Sequence, residues 1–156
     1  MTIAPRVRRY LAAQNIAHRV IAHGPTPTAS QAAQATHISG DRIAKAVVLR
    51  DGVGYLVAVL PASHHISLEL AQALLGRPVE LAAEREASDQ FPDCDVGAIP
   101  PFGQLYGVEV IIDESLLGLD QICFEGGDHQ SLVQVSGEDF SRLMSGAREA
   151  RFSVHD

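Results

Sequence analysis

The sequence has little cysteine: Cys94 and Cys123 are the only two in 156 residues. Two cysteines do not make the disulfide framework typical of small secreted domains, so we expect a reducing, cytoplasmic setting. No run of about 18 apolar residues is present, which argues against a transmembrane helix. The arginine-rich start of the chain is not followed by the apolar stretch of a secretory signal. We therefore expect no association with a membrane.

Metal and nucleotide motifs are also missing. The chain has no HExxH or CxxC spacing, which are the common zinc-binding patterns. His64 and His65 are adjacent, and neighbours on a strand point to opposite faces, so this pair is poorly arranged for one ion. No GxxxxGK phosphate loop precedes a helix, so nucleotide hydrolysis has no support. We expect no metal site.

The charge is acidic, with a net value of -7 at pH 7. Such a balance argues against a protein that coats DNA or RNA non-specifically, because that binding needs many cations against phosphates. It is compatible with a protein that grips only the end of an RNA. Arg6, Arg8, Arg9 and Arg19 form either one small basic face or simply a solvated surface.

The length and the 46% hydrophobic content suit a single domain over residues 1–156, with a core from about residue 5 to residue 144. A turn signal at Asp51-Gly52 predicts a central hairpin. Strands and helices are interspersed without regular alternation, which predicts an α+β fold with a mixed sheet packed by helices. Residues 145–156 are expected to be a frayed tail. The expected helices are Pro5–Gln14, one capped by Thr28, Ser67–Leu75, Glu84–Phe91 and one from Ser136 to Met144; the expected strands are His18–Ala22, Ile43–Leu49, Tyr55–Leu60, Val79–Leu81, Val108–Asp113, Gln121–Glu125 and Ser131–Val135.

Lys45 is a candidate functional cation, because it interrupts an otherwise apolar strand. A lysine in this position either reaches solvent or points into a cavity, where burial can lower its pKa. A fixed ammonium in a pocket suits a carbonyl, carboxylate or phosphate oxygen. The competing interpretation is an edge-strand lysine that discourages aggregation.

The segment from Gly97 to Gly103 is rich in glycine and proline. Glycine permits close approach of the backbone to a ligand, and proline stiffens the surrounding loop. Such a loop can direct the N–H groups of Gly97, Ala98 and Ile99 at a polarised oxygen or a water. An ordinary rigid connector would have the same composition.

His129 follows Gly126-Gly127-Asp128 and precedes a strand. A histidine at a strand entrance can anchor a hydroxyl group or a ribose, or it can belong to a plain surface turn. Cys123 and His129 could form a thiol pair, but the apolar neighbours of Cys123 favour packing in a core. Glu125 and Asp128 could act as a base, but their alternating placement predicts that both are solvated.

At these residues the chain resembles the YbaK family, which is related to the editing insertion of bacterial prolyl-tRNA synthetase. The resemblance rests on several motifs in the expected order and covers roughly residues 5–144. The motifs are Thr28 to Ala33, Lys45 with Val47 to Leu49, Tyr55 to Pro61, the GxxxP loop from Gly97 to Pro101 with Phe102-Gly103, Ile111 to Leu116, and Gly126 to His129.

The resemblance implies a mixed, partly open barrel-like sheet and a deacylase that acts in trans on a mischarged aminoacyl-tRNA. The amino acid would be small, such as alanine, cysteine, serine or threonine. By this analogy Lys45 holds the carbonyl or the terminal phosphate region, and the loop of Gly97, Ala98 and Ile99 places backbone donors near the ester and the attacking water. His129 would anchor the terminal adenosine or shape the pocket. Thr28, Pro100 and Pro101 complete the implied substrate-binding set.

No cofactor is implied by this resemblance. The implied partners are the 3′ end of an aminoacyl-tRNA and a synthetase or elongation factor, which would supply the grip on tRNA that an acidic protein lacks. Similarity of fold alone leaves two alternatives open. One is a non-catalytic domain that binds an aminoacyl or nucleotide ligand, and the other is a regulatory interaction domain.

Overall fold

The computed structural model describes residues 3–26 and 28–156. Met1, Thr2 and Pro27, which the sequence places inside the expected domain, lie outside the described residues. No helix in the described part is long and apolar enough to cross a membrane. The helices are α1 (Pro5–Ala13), α2 (Ala29–Thr36), α3 (Leu68–Leu75), α4 (Glu84–Asp89) and α5 (Gly137–Leu143). The strands are β1 (Arg19–Ala22), β2 (Ile43–Arg50), β3 (Tyr55–Pro61), β4 (His64–Ile66), β5 (Glu80–Leu81), β6 (Glu109–Asp113), β7 (Gln121–Glu125), β8 (Ser131–Ser136), β9 (Arg148–Ala150) and β10 (Ser153–His155).

Most strands form one mixed sheet in the order β1-β8-β7-β2-β3-β6-β9. The pairs β1/β8, β8/β7 and β2/β3 are antiparallel, whereas β7/β2, β3/β6 and β6/β9 are parallel. The sheet is not closed, since β1 and β9 end the order without pairing with each other. The expected α+β class and open mixed sheet are confirmed. β2 and β3 form the expected hairpin and place β2 at the centre.

The sheet divides along one side of β2. β7 pairs with the start of β2 at Ile43 and Ala44, and β5 pairs with its end at Leu49 and Arg50. In the described part of the chain, residues 45–47 have no strand partner on that side. We call this gap the β2 cleft. Its two sides continue into the segment after β7 and the segment after β5.

Side chains alternate across β2 and fill separate cores on the two faces of the sheet. Ala44 and Val48 pack into the largest core, together with Phe102 and Phe124. On the other face, Ile43 packs against Ala32 of α2, and Leu49 packs against Ala71 of α3. Lys45 stands between these two smaller cores by the same alternation.

Three helices begin at the expected capping residues. The side chains of Thr28, Ser67 and Ser136 accept hydrogen bonds from the backbone N–H three residues later. Each bond satisfies one of the free donors at a helix start and contributes about 1 kcal/mol. Gly76 ends α3 in the left-handed conformation that favours glycine. These local signals fix where α2, α3 and α5 enter the fold.

The expected frayed tail is wrong. β9 pairs with β6 in parallel, and β10 pairs with β4. Phe152, between the two strands, has no exposed surface. Its N–H donates to Asp113 Oδ1 at 2.9 Å, and its carbonyl accepts the Ser67 N–H at 2.7 Å. The tail is ordered because it buries a phenylalanine and completes an edge of the sheet.

Candidate active site

Lys45 lies at the β2 cleft on the central strand of the sheet. β2 has neighbours on both sides at its two ends, but Lys45 itself is paired only with β3, so the edge-strand interpretation stays open at this position. Lys45 is half-buried, and burial lowers the pKa of its ammonium, with the carboxylate of Asp156 acting in the opposite direction. Within residues 3–26 and 28–156 it forms no ion pair. It is also the only lysine in the sequence.

Gly97 lies between the two segments that flank the β2 cleft. Its φ is +80°, a conformation that side chains rarely adopt. A methyl group on Gly97 would lie 3.2 Å from Glu84 Oε1 and 3.3 Å from Cε1 of His129. Glu84 follows β5 and His129 follows β7. The loop therefore bridges both sides of the cleft, and glycine is required for that close approach.

The donors of this loop differ from the expected set. The Ala98 N–H already donates to the carbonyl of Asp95 at 3.0 Å, so it is not free for a ligand. The N–H groups of Gly97 and Ile99 receive no acceptor within the described residues. Ala98, Ile99, Pro100 and Pro101 are buried, whereas Gly97 is exposed. The buried prolines hold the loop from beneath, a position better suited to support than to direct substrate contact.

His129 has a positive φ of 59°. Its Nε2 donates to the carbonyl of Val96, the residue before Gly97. Its own carbonyl accepts the Thr26 N–H at 3.1 Å. His129 thereby joins the loop of Gly97 to the segment that leads into α2. The interpretation of His129 as an isolated solvent-facing ring does not fit these contacts.

Glu125 and Asp128 are buried, which corrects the expectation that they are solvated. They are 4% and 5% exposed. Asp128 accepts from the Gln130 N–H at 3.0 Å and the Ser131 hydroxyl at 3.1 Å, so it closes the turn after β7. Glu125 is different, because its Oε2 has no hydrogen-bond partner in the described residues. Burial raises the pKa of Glu125 to about 7.

The two thiols do not offer a nucleophile. Cys123 is 1% exposed and packs in a small core, as expected from the sequence. Burial raises the pKa of Cys123 to about 11 and that of Cys94 to about 12. A neutral thiol is a weak nucleophile, since the thiolate is the reactive form.

Thr28 has its hydroxyl engaged as the N-cap of α2, where it accepts the Gln31 N–H at 3.1 Å. Its side chain is exposed. The α2 N-terminus is tied to the β7–β8 connection through Thr26, which donates to the His129 carbonyl. Thr28 therefore lies near the candidate site through its segment, while its hydroxyl already has a structural partner.

The structure joins some expected site residues and not others. Gly97 and His129 are in contact, and Lys45 lies across the β2 cleft without a hydrogen bond to either. A separate cavity of about 570 Å³ lies between residues 37–42 and the strands β7 and β8. None of the expected site residues lines that cavity.

The residues best arranged for a metal were not found from the sequence. Ligand atoms of Asp41, His64 and His155 lie within 4.8 Å of one another. Pairing of β4 with β10 places His64 opposite His155. The sequence around His64 and His65 does not indicate that His155, near the end of the chain, lies opposite His64. In this surface cluster His155 Nε2 lies 3.1 Å from Asp41 Oδ1.

Comparison with known proteins places the chain in a recognised group. Residues 23–143 match the model of the aminoacyl-tRNA editing domain. No curated protein matches the chain. A candidate trans-editing enzyme for prolyl-tRNA synthetase has a similar structure, with a TM-score of 0.81 and 25% identity over 97% of this chain and 96% of that chain.

Two structures that are less than 25% identical in sequence support the fold alone. A hypothetical protein has a TM-score of 0.84 and 24% identity, covering 96% of this chain and 99% of that chain. A signal transduction protein from Marinobacter aquaeolei VT8 has a TM-score of 0.75 and 21% identity, with 96% of this chain matching 30% of that longer chain. The family match spans Lys45, the loop of Gly97 and His129, and the chain belongs to the aminoacyl-tRNA editing domain family.

Proposed function

We propose that the protein is a trans-acting deacylase that hydrolyses the ester of a mischarged aminoacyl-tRNA carrying a small amino acid. The observation that carries this proposal is Lys45, a half-buried ammonium without an ion pair in the described residues, on the central strand of an editing domain. A cation held this way is free to meet an anionic or polarised group of a substrate.

In the proposed reaction, a water oxygen attacks the ester carbonyl carbon. The bond from that carbon to the ribose oxygen then breaks, and a proton from the water reaches the ribose oxygen. The products are a free amino acid and a tRNA with a free terminal hydroxyl. An activated ester needs less assistance than an amide, so positioning a water and stabilising the oxyanion are sufficient aids.

The position of each candidate residue suggests its role in this reaction. Lys45 faces the negative charge that develops on the carbonyl oxygen, or the terminal phosphate. The unpartnered N–H groups of Gly97 and Ile99 are the remaining backbone donors of the loop, because Ala98 is already engaged. One well-placed donor of this kind is worth about 2.7–4 kcal/mol in a transition state. His129 fixes the loop through Val96.

A deacylation panel tests the proposal. The purified protein is offered tRNAs charged with alanine, cysteine, serine, threonine and proline, beside Lys45→Met and Arg42→Ala. Lys45→Met keeps an unbranched side chain that is one atom shorter and removes its charge, and Arg42→Ala removes an exposed cation just before β2. We expect the native protein and Arg42→Ala to hydrolyse one or two of these esters. The rate of that hydrolysis should be at least about 100-fold lower in Lys45→Met. Full activity of Lys45→Met would exclude Lys45 from the reaction, and no hydrolysis of any ester would favour a binding or regulatory domain.

A further inference from the structure

Three buried polar atoms in the described residues lack a hydrogen-bond partner, and all three belong to one end of the sheet. They are His23 Nε2, Glu125 Oε2 and His129 Nδ1. The His23 N–H donates to the Gln130 carbonyl at 2.9 Å, which joins the end of β1 to the segment after β7. Unpaired buried polar atoms are rare in folded proteins, and each one calls for a ligand, water or ion.

All three atoms are acceptors. The Val96 carbonyl can only accept, so Nε2 of His129 carries the hydrogen, and Nδ1 of the neutral ring is a bare lone pair. His23 Nδ1 likewise donates to the Gly24 carbonyl at 2.7 Å, which leaves its Nε2 as an acceptor. Glu125 offers a carboxylate. When Glu125 is ionised, a single group with several donors can satisfy all three atoms.

The turn after β7 supplies hydrogen-bond donors to the neighbouring carboxylate of Asp128 but not to Glu125 Oε2. Asp128 is equally buried and has both of its oxygens engaged by Gln130 and Ser131. Glu125 shares a face of β7 with buried Cys123 and packs beside Leu132 of β8. A water molecule could donate to it but would leave the charge of the carboxylate uncompensated. A cation that carries several N–H donors would supply both the hydrogen bonds and the compensating positive charge.

We propose that Glu125 and His129 bind the α-ammonium group of the aminoacyl moiety, with His23 Nε2 as a further unpartnered acceptor at the same end of the sheet. This inference rests on the proposed function and deepens it. An ammonium has three donors to place against these acceptors. Every amino acid except proline carries this primary ammonium, so the contact recognises an aminoacyl ester as a class and leaves the choice of side chain to other residues.

The position of the pair suits this role. His129 contacts Gly97, whose free N–H we assign to the ester. In an aminoacyl ester the α-ammonium is one carbon away from the carbonyl. A receptor at Glu125 and His129 would therefore hold the carbonyl against the loop, and Lys45 would remain free for the oxyanion or phosphate.

Binding of stable analogues tests the inference apart from turnover. The probes are adenosine linked to alanine through a 3′-amide, the same compound acetylated on its α-amine, and free alanine. They are titrated by calorimetry into the native protein, Glu125→Gln and the exposed control Glu149→Gln. We expect the native protein and Glu149→Gln to prefer the free amine by about 10–100-fold, the range of a charge-assisted hydrogen bond. Glu125→Gln should lose that preference while still binding the acetylated compound as the native protein does.

Equal affinity of the native protein for both adenosine analogues would overturn the inference even if tRNA is deacylated. Unchanged preference in Glu125→Gln would overturn it as well. Free alanine binding as tightly as the adenosine amide would assign the site to a released amino acid, contrary to the inference. If Glu125→Gln loses the preference and the native protein hydrolyses no ester, the ammonium site is supported and the deacylase function is excluded.

Discussion

Glu125 places a carboxylate in the interior at a cost to the fold. Burial raises its pKa to about 7 from an ordinary 4.5. The folded state therefore holds this proton more tightly than the unfolded state, and stability falls as the pH rises between these two values. Above pH 7 the folded protein bears the whole penalty. At about 1.4 kcal/mol for each pH unit, the penalty is about 3 kcal/mol.

Replacing Glu125 with glutamine should therefore stabilise the protein at high pH only. We expect Glu125→Gln to match the native protein near pH 4.5 and to exceed it by up to about 3 kcal/mol at pH 8.5. Urea unfolding at both pH values measures this difference. The exposed substitution Glu149→Gln should change neither value by more than about 0.5 kcal/mol. A less stable Glu125→Gln at pH 8.5 would contradict the assignment of Glu125 as an unpaired buried acid.

Alanine substitutions at Gly97 and at a control glycine can separate the effect of backbone strain from that of side-chain crowding. Gly97→Ala should cost about 1–2 kcal/mol because an L-residue is strained at a φ of +80°. It should also reduce deacylation, since the new methyl group presses on Glu84 and the His129 ring. Gly118 is a matched control, with a φ of +79° and nothing within 4 Å of a methyl group. Gly118→Ala should lose similar stability and keep full activity in unfolding and deacylation assays. Equal activity of the two variants would mean that the contact with His129 is irrelevant to catalysis.

Residue type indicated part of the candidate site in the sequence. Lys45 in an apolar strand and glycines beside His129 are local signals, and the structure gives each a defined position. Glu125 was expected to be solvated, although the sequence carries a signal for its burial. Cys123 was predicted to be in a core, and Glu125 stands two residues later on the same face of the strand. Alternation counted from a buried Cys123 therefore predicts a buried Glu125, contrary to the solvated position expected above.

Helices with capping signals in their own sequence were predicted. β9 and β10, which depend on partners far away in the chain, were not. Caps at Thr28, Ser67 and Ser136 lie within three residues of the donors they bind, so sequence patterns reveal them. β9 and β10 have three residues each and owe their order to β6 and β4, far away in the chain. Nothing within residues 145–156 indicates those partners.

The C-terminal segment should contribute strongly to stability. Phe152→Ala removes a fully buried ring, and such changes cost about 3–5 kcal/mol. Val154 is 42% exposed on β10, so Val154→Ala should change stability by less than about 0.5 kcal/mol. Chemical denaturation of both variants measures the difference. If Phe152→Ala leaves the free energy of unfolding unchanged, the segment does not contribute to stability and behaves as a frayed tail.

The whole molecule is acidic, and this limits how it can hold tRNA. With a net charge of -7, we expect contact with about one or two phosphates near the terminal nucleotide. The logarithm of the binding constant should then fall with the logarithm of salt concentration with a slope of about -1, at about -0.7 for each phosphate of a single strand. Titrations of uncharged tRNA at several salt concentrations measure this slope. A slope steeper than about -4 would indicate a broad cationic surface instead.

Because eleven of the twelve cationic side chains are arginines, Lys45 is the only side-chain amine in the molecule. Reductive methylation with isotope-labelled formaldehyde would therefore mark one side chain besides the terminal amine. Its resonance would give the ionisation of Lys45 directly, without assignment of a crowded spectrum. A shift of that resonance on addition of an aminoacyl analogue would report the arrival of the ligand at the β2 cleft. The composition of the chain thus supplies a built-in spectroscopic probe at the candidate active site.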